Sequence, residues 1–407
     1  MLNIFKLAIK NTLRNKRRTV LTTLMIIIGV VVILFSNAFL QSMTHSWKDD
    51  LINADLGHFQ IMQKGYKENR ASFTMDYTIP DASSLAINIS KEPGIISATK
   101  RVSIGGLIST GNQTSPFFGS GIDVVTAGKT LPNLYNKLIK GKSLSDQAGG
   151  AILGEGLARR LNTKIGDVLM LATYDKYKAM NAVAITVRGI VKIPEDNTND
   201  RLVLTDYKTA CSLVSFGDEA TEIVVRTKDI TRTKESMKGI REKYSRKNLE
   251  FYEWGELAGQ LKQVEGLFMA FSTVVSLIIY TIVLVGLANT ILMGVFERTR
   301  EIGTLMAIGS SRGQIMGIFI AESIWLGVIG IVIGVLIHVL LLMWLARTGI
   351  PMSPPGTDQK IMIYPMFNWG QFVSTGISVI IVSIIAAVYP SRFASRLNPI
   401  DAIRSNQ

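Results

Sequence analysis

Two kinds of hydrophobic pattern alternate along this chain. Four stretches are apolar at almost every position, residues 20–42, 266–295, 315–345 and 370–389, with no Lys or Arg in their interiors. Each approaches or exceeds the roughly 20 residues that a helix rising about 1.5 Å per residue needs to cross some 30 Å of hydrocarbon. Between the first and second, the pattern changes to short β-branched runs and amphipathic helical segments. This predicts an α-helical membrane protein with four transmembrane helices and a large α+β extracytoplasmic (periplasmic) domain, residues 43–265, between helices 1 and 2.

Within that domain, Leu56–Gln63, Ile95–Ser109, Ala184–Val191 and Thr221–Thr227 carry partial two-residue alternation and read as strands. ASSLAINISK, GEGLARRLNT and TRTKESMKGIREKYSRK read as helices, the last with Met237, Ile240 and Tyr244 on one stripe. The domain is large enough for two lobes.

The second and third apolar runs are each near 30 residues, about 45 Å as helices, which exceeds the hydrocarbon thickness. Their surplus is expected to project outward as stiff rods. Gly327, Gly330 and Gly334 include a G-x-x-x-G pair, readable as close helix contact or as the ordinary glycine enrichment of membrane helices.

Charge sets the orientation. Lys6, Lys10, Arg14, Lys16, Arg17 and Arg18 precede the first run without an acid. The connection between runs two and three holds Arg298, Arg300 and Arg312, and the tail holds Arg392, Arg396 and Arg404. Basic residues beside spans stay on the cytoplasmic side, so both termini are expected there. Residues 1–19 place Leu2, Phe5, Ile9 and Leu13 at helical spacing and read as an amphipathic cytoplasmic interfacial helix. The first run exceeds the length of a signal-peptide core and reads as a retained span. Residues 296–314 form a cytoplasmic helical connection, 346–369 a periplasmic loop and 390–407 a cytoplasmic tail.

The net charge of +13 is concentrated beside the spans, which fits affinity for anionic lipid and argues against nucleic acid as partner. Cys211 is the single cysteine, so no intramolecular disulfide forms, and it reads as a small buried side chain. His45, His58 and His338 have no metal-ligand spacing, so no metal is expected. Gly128-Lys129-Thr130 and Gly141-Lys142-Ser143 resemble the end of a phosphate loop, but Asp123 and Asn136 stand where its first glycine must be. No catalytic constellation is recognisable, and the chain is expected to be no enzyme. Glu322 and His338 lie within the third run, about 24 Å apart along one helix, a spacing that favours snorkelling or packing over a proton relay.

The connection FERTREIGTLMAIGSSRGQI, Phe296–Ile315, interrupts two apolar runs with charge. Ile302, Leu305, Met306 and Gly309 share one helical face, Glu297 and Glu301 another. Ser311 with Gln314 three residues on reads as a capping box opening the third span, so one helix ends near Gly309 and another begins. A tight connection could be amphipathic for purely structural reasons, but apolar and acidic groups presented together to the cytoplasm fit a partner with a groove.

This stretch resembles the coupling-helix signature of the FtsX-like permease family, which includes the MacB-type and LolC/LolE-type ABC transporter permeases. The tail YPSRFASRLNPIDAIRSNQ is similar to the family's closing motif, with Pro390 ending the last span. LGHFQIMQKGY, GGAILGEGLARRLNTKIGDVLML and VRGIV resemble landmarks of its periplasmic domain. The resemblance implies a mechanotransmission permease of the bacterial inner membrane with a dimeric ABC ATPase as partner. ATP and Mg would sit on that ATPase, and no cofactor on this chain. A second permease copy or paralogue, membrane lipids and a lipoprotein cargo are further implied partners. Glu297, Arg298, Arg300, Glu301, Ile302, Gly303, Leu305, Ala307 and Gly309 match the ATPase-coupling signature.

No fused ATPase domain is expected before the amphipathic helix, a departure from MacB that would favour the LolC/LolE lipoprotein-releasing type. In that type a protruding loop recruits a periplasmic carrier. The corresponding connection here, about Ala172–Val183, is short and lacks proline, which weighs against carrier recruitment. Alternatives are FtsX-like control of an extracytoplasmic enzyme and MacB-like efflux of a peptide or small hydrophobic molecule.

Overall fold

The computed structural model describes residues 16–145, 148–193, 195–244, 248–352 and 361–398. The expected amphipathic helix lies almost wholly outside these residues, as does the closing motif from Pro399 onward. The chain forms two compact units. One comprises residues 46–263 with 352–361, the other the long helices.

In the helical unit, the apolar runs extend at both ends into longer helices: α1 (Lys16–Leu51), α2 (Gly259–Glu297), α4 (Arg312–Thr348) and α5 (Trp369–Ser395), with the short α3 (Thr299–Ala307) between α2 and α4. The four long ones are long and apolar enough to cross a membrane. Continuation beyond the apolar runs follows from the helix-favouring polar residues that flank them. Pro390 does not end the last helix as expected; α5 runs on to Ser395. A proline removes one backbone donor, and nearby Ser/Thr hydroxyls can re-satisfy the backbone. Beside the proline, the Ser391 hydroxyl donates to the Val388 carbonyl at 3.0 Å, while the carbonyl that Pro390 leaves without its helical donor is that of Ala386.

The helices pack through small residues. A Cβ on Gly330 would lie 2.4 Å from Ile26 Cγ2, and one on Gly334 2.8 Å from Val30 Cγ1, so both glycines admit α1. Gly327 faces α5 instead, where a Cβ would lie 2.8 Å from Ser383 Oγ. The G-x-x-x-G pair is thus a contact surface: close backbone approach gains dispersion where lipid offers no hydrophobic drive. His338 is buried with its ring 5.7 Å from that of Phe372.

The other unit is built on ten described strands: β1 (Phe59–Gln63), β2 (Ile95–Ser109), β3 (Thr114–Ile122), β4 (Leu138–Gly141), β5 (Gly150–Gly154), β6 (Val168–Tyr174), β7 (Met180–Val191), β8 (Leu202–Asp206), β9 (Glu222–Thr227) and β10 (Leu249–Glu253). Their order is β10-β1-β9-β2-β3-β8-β5-β7-β4, and β6 pairs with both β2 and β7. The strands β2-β3-β8-β5-β7-β6 therefore close on themselves as a ring, while β9, β1 and β10 extend from β2 as an open sheet.

Closure depends on β2, which pairs with β3 along one edge, dividing its other edge between β9 over Ile95–Arg101 and β6 over Leu107–Ser109. Gly106 sits where β6 comes close, and a Cβ there would lie 2.2 Å from the Ala172 carbonyl oxygen. Two cores result. Ile104, Phe117, Leu153, Leu171, Val187 and Leu213 fill the ring side, with Cys211 buried among them. Burial pushes the Cys211 thiol up to about 11. Phe59, Ile89, Ile223 and Phe251 fill the other, against helices Ala82–Ser90 and Thr233–Tyr244, and Met237, Ile240 and Tyr244 pack there as one stripe.

The stretch Ala172–Val183 is mostly paired strand: Thr173 faces Asn181 and Tyr174 faces Met180, leaving a tight turn at 175–179. Asp175 closes that turn, its Oδ1 accepting from the Tyr177 and Ala179 amides at 2.9 Å. At the two ends of the sheet unit's main segment, Trp47, Leu51 and Leu56 pack on Trp254, Leu257, Ala258 and Leu261. A π-helical turn, Ile52–Leu56, links the end of α1 to β1.

Candidate coupling site

The bend Glu297–Ser311 is shaped by two local rules. α3 ends in a left-handed glycine, Gly309 (φ +100°), with the Gly309 amide donating to Met306 O and the Ser310 amide to Leu305 O, each at 3.0 Å. This paired pattern satisfies the last carbonyls of a helix and turns the chain. α4 then opens at once with the expected capping box. Ser311 Oγ accepts from the Gln314 amide at 3.3 Å, and Gln314 Oε1 accepts from the Ser311 amide at 2.9 Å.

The apolar face read from spacing divides in the structure. Ile302 is buried with Ile291, Val295, Ile315, Phe319, Ala387 and Ala394, and Met306 packs on this cluster. Gly303 is buried as well. Leu305 and Ile308 point outward, Ile308 at 80% exposure, and Arg300, Glu301, Ala307 and Gly309 are exposed. The inward half anchors α3; the outward half is a small apolar and charged surface.

Charge secures the root of α3. Arg18 Nη1 on α1 lies 2.8 Å from Glu297 Oε2. Gly294 leaves the room, since a Cβ there would sit 2.8 Å from the Arg18 guanidinium. One turn deeper, the Thr22 and Thr290 hydroxyls are 3.0 Å apart. On the other side Arg298 is buried and pairs with Glu322 of α4 at 3.7 Å. Of the signature residues, Glu297 and Arg298 thus bind their own helices, whereas Arg300, Glu301, Leu305 and Ala307 face outward. Sequence reasoning missed the roles of Arg18 and Gly294. The available signal was opposite charge at the same ends of consecutive apolar runs. Glu322 and His338 are not brought together.

Two family models match: the MacB-like periplasmic core domain over residues 19–243 and the FtsX-like permease C-terminal region over 273–399. The chain belongs to the MacB/FtsX-type family of ABC transporter permeases. It is a multi-pass membrane protein of that family. The macrolide export ATP-binding/permease protein MacB of Neisseria meningitidis serogroup A is 24% identical over 410 residues, covering 98% of this chain and 60% of the relative. An uncharacterized ABC transporter permease of Methanocaldococcus jannaschii is 26% identical over 262 residues, 62% of this chain and 61% of the relative. The chain thus spans about 60% of the length of these curated relatives. Among solved structures, the periplasmic region of MacB from Actinobacillus actinomycetemcomitans is 17% identical, with a TM-score of 0.35, covering 50% of this chain and 92% of that one.

Proposed function

We propose that this chain is the membrane subunit of an ABC transporter that passes the stroke of a separate dimeric ATPase, which binds ATP and Mg, to a lobe on the far side of the inner membrane. Two permease subunits, identical or paralogous, share the ATPase, and both termini are cytoplasmic. One observation carries the reading: α3 is anchored inward by Ile302 and Met306 while Leu305, Ile308, Arg300 and Glu301 stay at its surface. A nine-residue helix so divided is built to be gripped. α2, at 39 residues, is the rod that carries the displacement. Substrate then moves on the outer side without crossing a pore.

The cargo in this reading is a lipoprotein released from the inner membrane. The tight turn at 175–179 gives no support to recruitment of a periplasmic carrier by this chain. The name of the MacB relatives, macrolide export, favours a second reading, efflux of a peptide or small hydrophobic molecule.

Glu301→Lys is expected to cut copurification of the ATPase at least tenfold while leaving membrane insertion intact; unchanged copurification and transport would overturn the coupling role. Mass spectrometry of the gently solubilised complex separates the cargoes. Acylated protein held between the helices supports release, and depletion that raises macrolide susceptibility without trapping lipoproteins supports efflux.

A further inference from the structure

Glu322 is an acid within an apolar helix, and such residues are costly unless they face the bundle interior and pair. It does both: its partner Arg298 is the residue that joins α2 to α3, and both side chains are about nine-tenths buried. α3 is short, and Ile302, Gly303 and Met306 turn it inward. A helix of this length is not stable by itself, so its rigidity comes from what it is attached to.

We propose that Glu322 is a positioning residue: with Arg298 it forms a latch that locks the root of α3 to α4, while Arg18 and Glu297 lock the same root to α1. The structure puts the two ion pairs on adjacent residues, 297 and 298, and they reach different helices. A residue pair at a bend that holds two helices at once turns a flexible corner into a rigid one. Displacement of α3 then moves α2 and α4 together instead of bending the connection. The inference deepens the coupling reading and rests on it for its biological meaning, but the latch is a property of the permease alone.

The test is a double-mutant cycle read by hydrogen–deuterium exchange on the full chain in lipid nanodiscs, without ATPase. E322Q keeps side-chain shape and removes one charge, and R298Q removes the opposite charge with a shorter polar side chain. Each single variant is expected to raise amide exchange across 299–307 by about tenfold, a readout of local opening, with exchange in the middle of α4 unchanged. R298Q/E322Q should exchange no faster than either single variant, because contacting residues do not act additively. Parent-like exchange in E322Q overturns the latch, and so does an additive double variant, which would assign the residues separate packing roles. Because no ATPase is present, failure here is distinguishable from failure of the Glu301→Lys experiment.

Discussion

Each unit of this protein buries an arginine against a glutamate, and the two pairs are built differently. In the sheet unit, Arg101 and Glu222 are both nearly inaccessible. Arg101 Nε donates to Glu222 Oε2 at 2.9 Å, its Nη2 reaches the same oxygen, and its Nη1 donates to Asp55 Oδ1 at 2.7 Å and to Asp55 O at 2.8 Å. Arg70 and Ser103 complete the Glu222 carboxylate at 3.1 and 3.0 Å. Burial opposes ionisation of Glu222, but the charges of Arg101 and Arg70 outweigh it and hold the carboxyl below its usual range. In the helical unit, Arg298 Nη1 lies 3.7 Å from Glu322 Oε2. The first pair is held by several short hydrogen bonds, whereas the second is a longer ion pair between two buried side chains. The saturated network also ties Asp55, in the π-helical turn that follows α1, to β2 and β9. The longer pair stands at the root of α3, where Arg298 joins α2 to α3.

The comparison can be broken most severely at Glu222. Glu222→Ala leaves a buried Arg101 short of its main partner and is expected to destabilise the sheet unit by about 3–5 kcal/mol, a loss chemical denaturation would measure. A change below about 1 kcal/mol would mean that Asp55 alone satisfies the arginine. A smaller effect comes from His58, buried with its Nδ1 2.6 Å from Thr227 Oγ1. Desolvation, aided by Arg226 and opposed by Asp229, lowers its pKa from 6.5 to about 4. The folded state therefore resists protonation that the unfolded chain accepts, and stability is lost as pH falls from about 6.5 toward 4. Thermal melts should fall by several degrees over that window beyond the background slope, and His58→Gln should remove that component. The smallest effect belongs to an exposed pair: Arg160→Ala, which breaks the contact with Asp200, should cost less than about 1 kcal/mol because water screens it.

How much was legible differs between the units for a physical reason. The stretch 95–109 reads as a strand from its β-branched residues and is β2 over that same range. β3 and β5 were not legible, because TSPFFGSGI and GAILG carry glycine or proline that weakens the strand signal. A Cβ on Gly119 would lie 1.6 Å from the Val203 carbonyl, so the parallel pairing of β3 with β8 requires glycine there. At the bend, helical spacing put Ile302, Leu305 and Met306 on one face, yet α3 turns only Ile302 and Met306 inward.

By itself, the sequence determined where the long helices lie and where α4 begins, because uninterrupted apolar length and a local capping pair act within one segment. It also carried the family resemblance. Only the tertiary structure decided that β2 divides one edge between two partners and closes a ring, that Gly330 and Gly334 admit α1, and that Arg18 and Glu322 secure the root of α3. Those outcomes depend on which distant residues meet, and side-chain periodicity along one element does not encode the element it will meet.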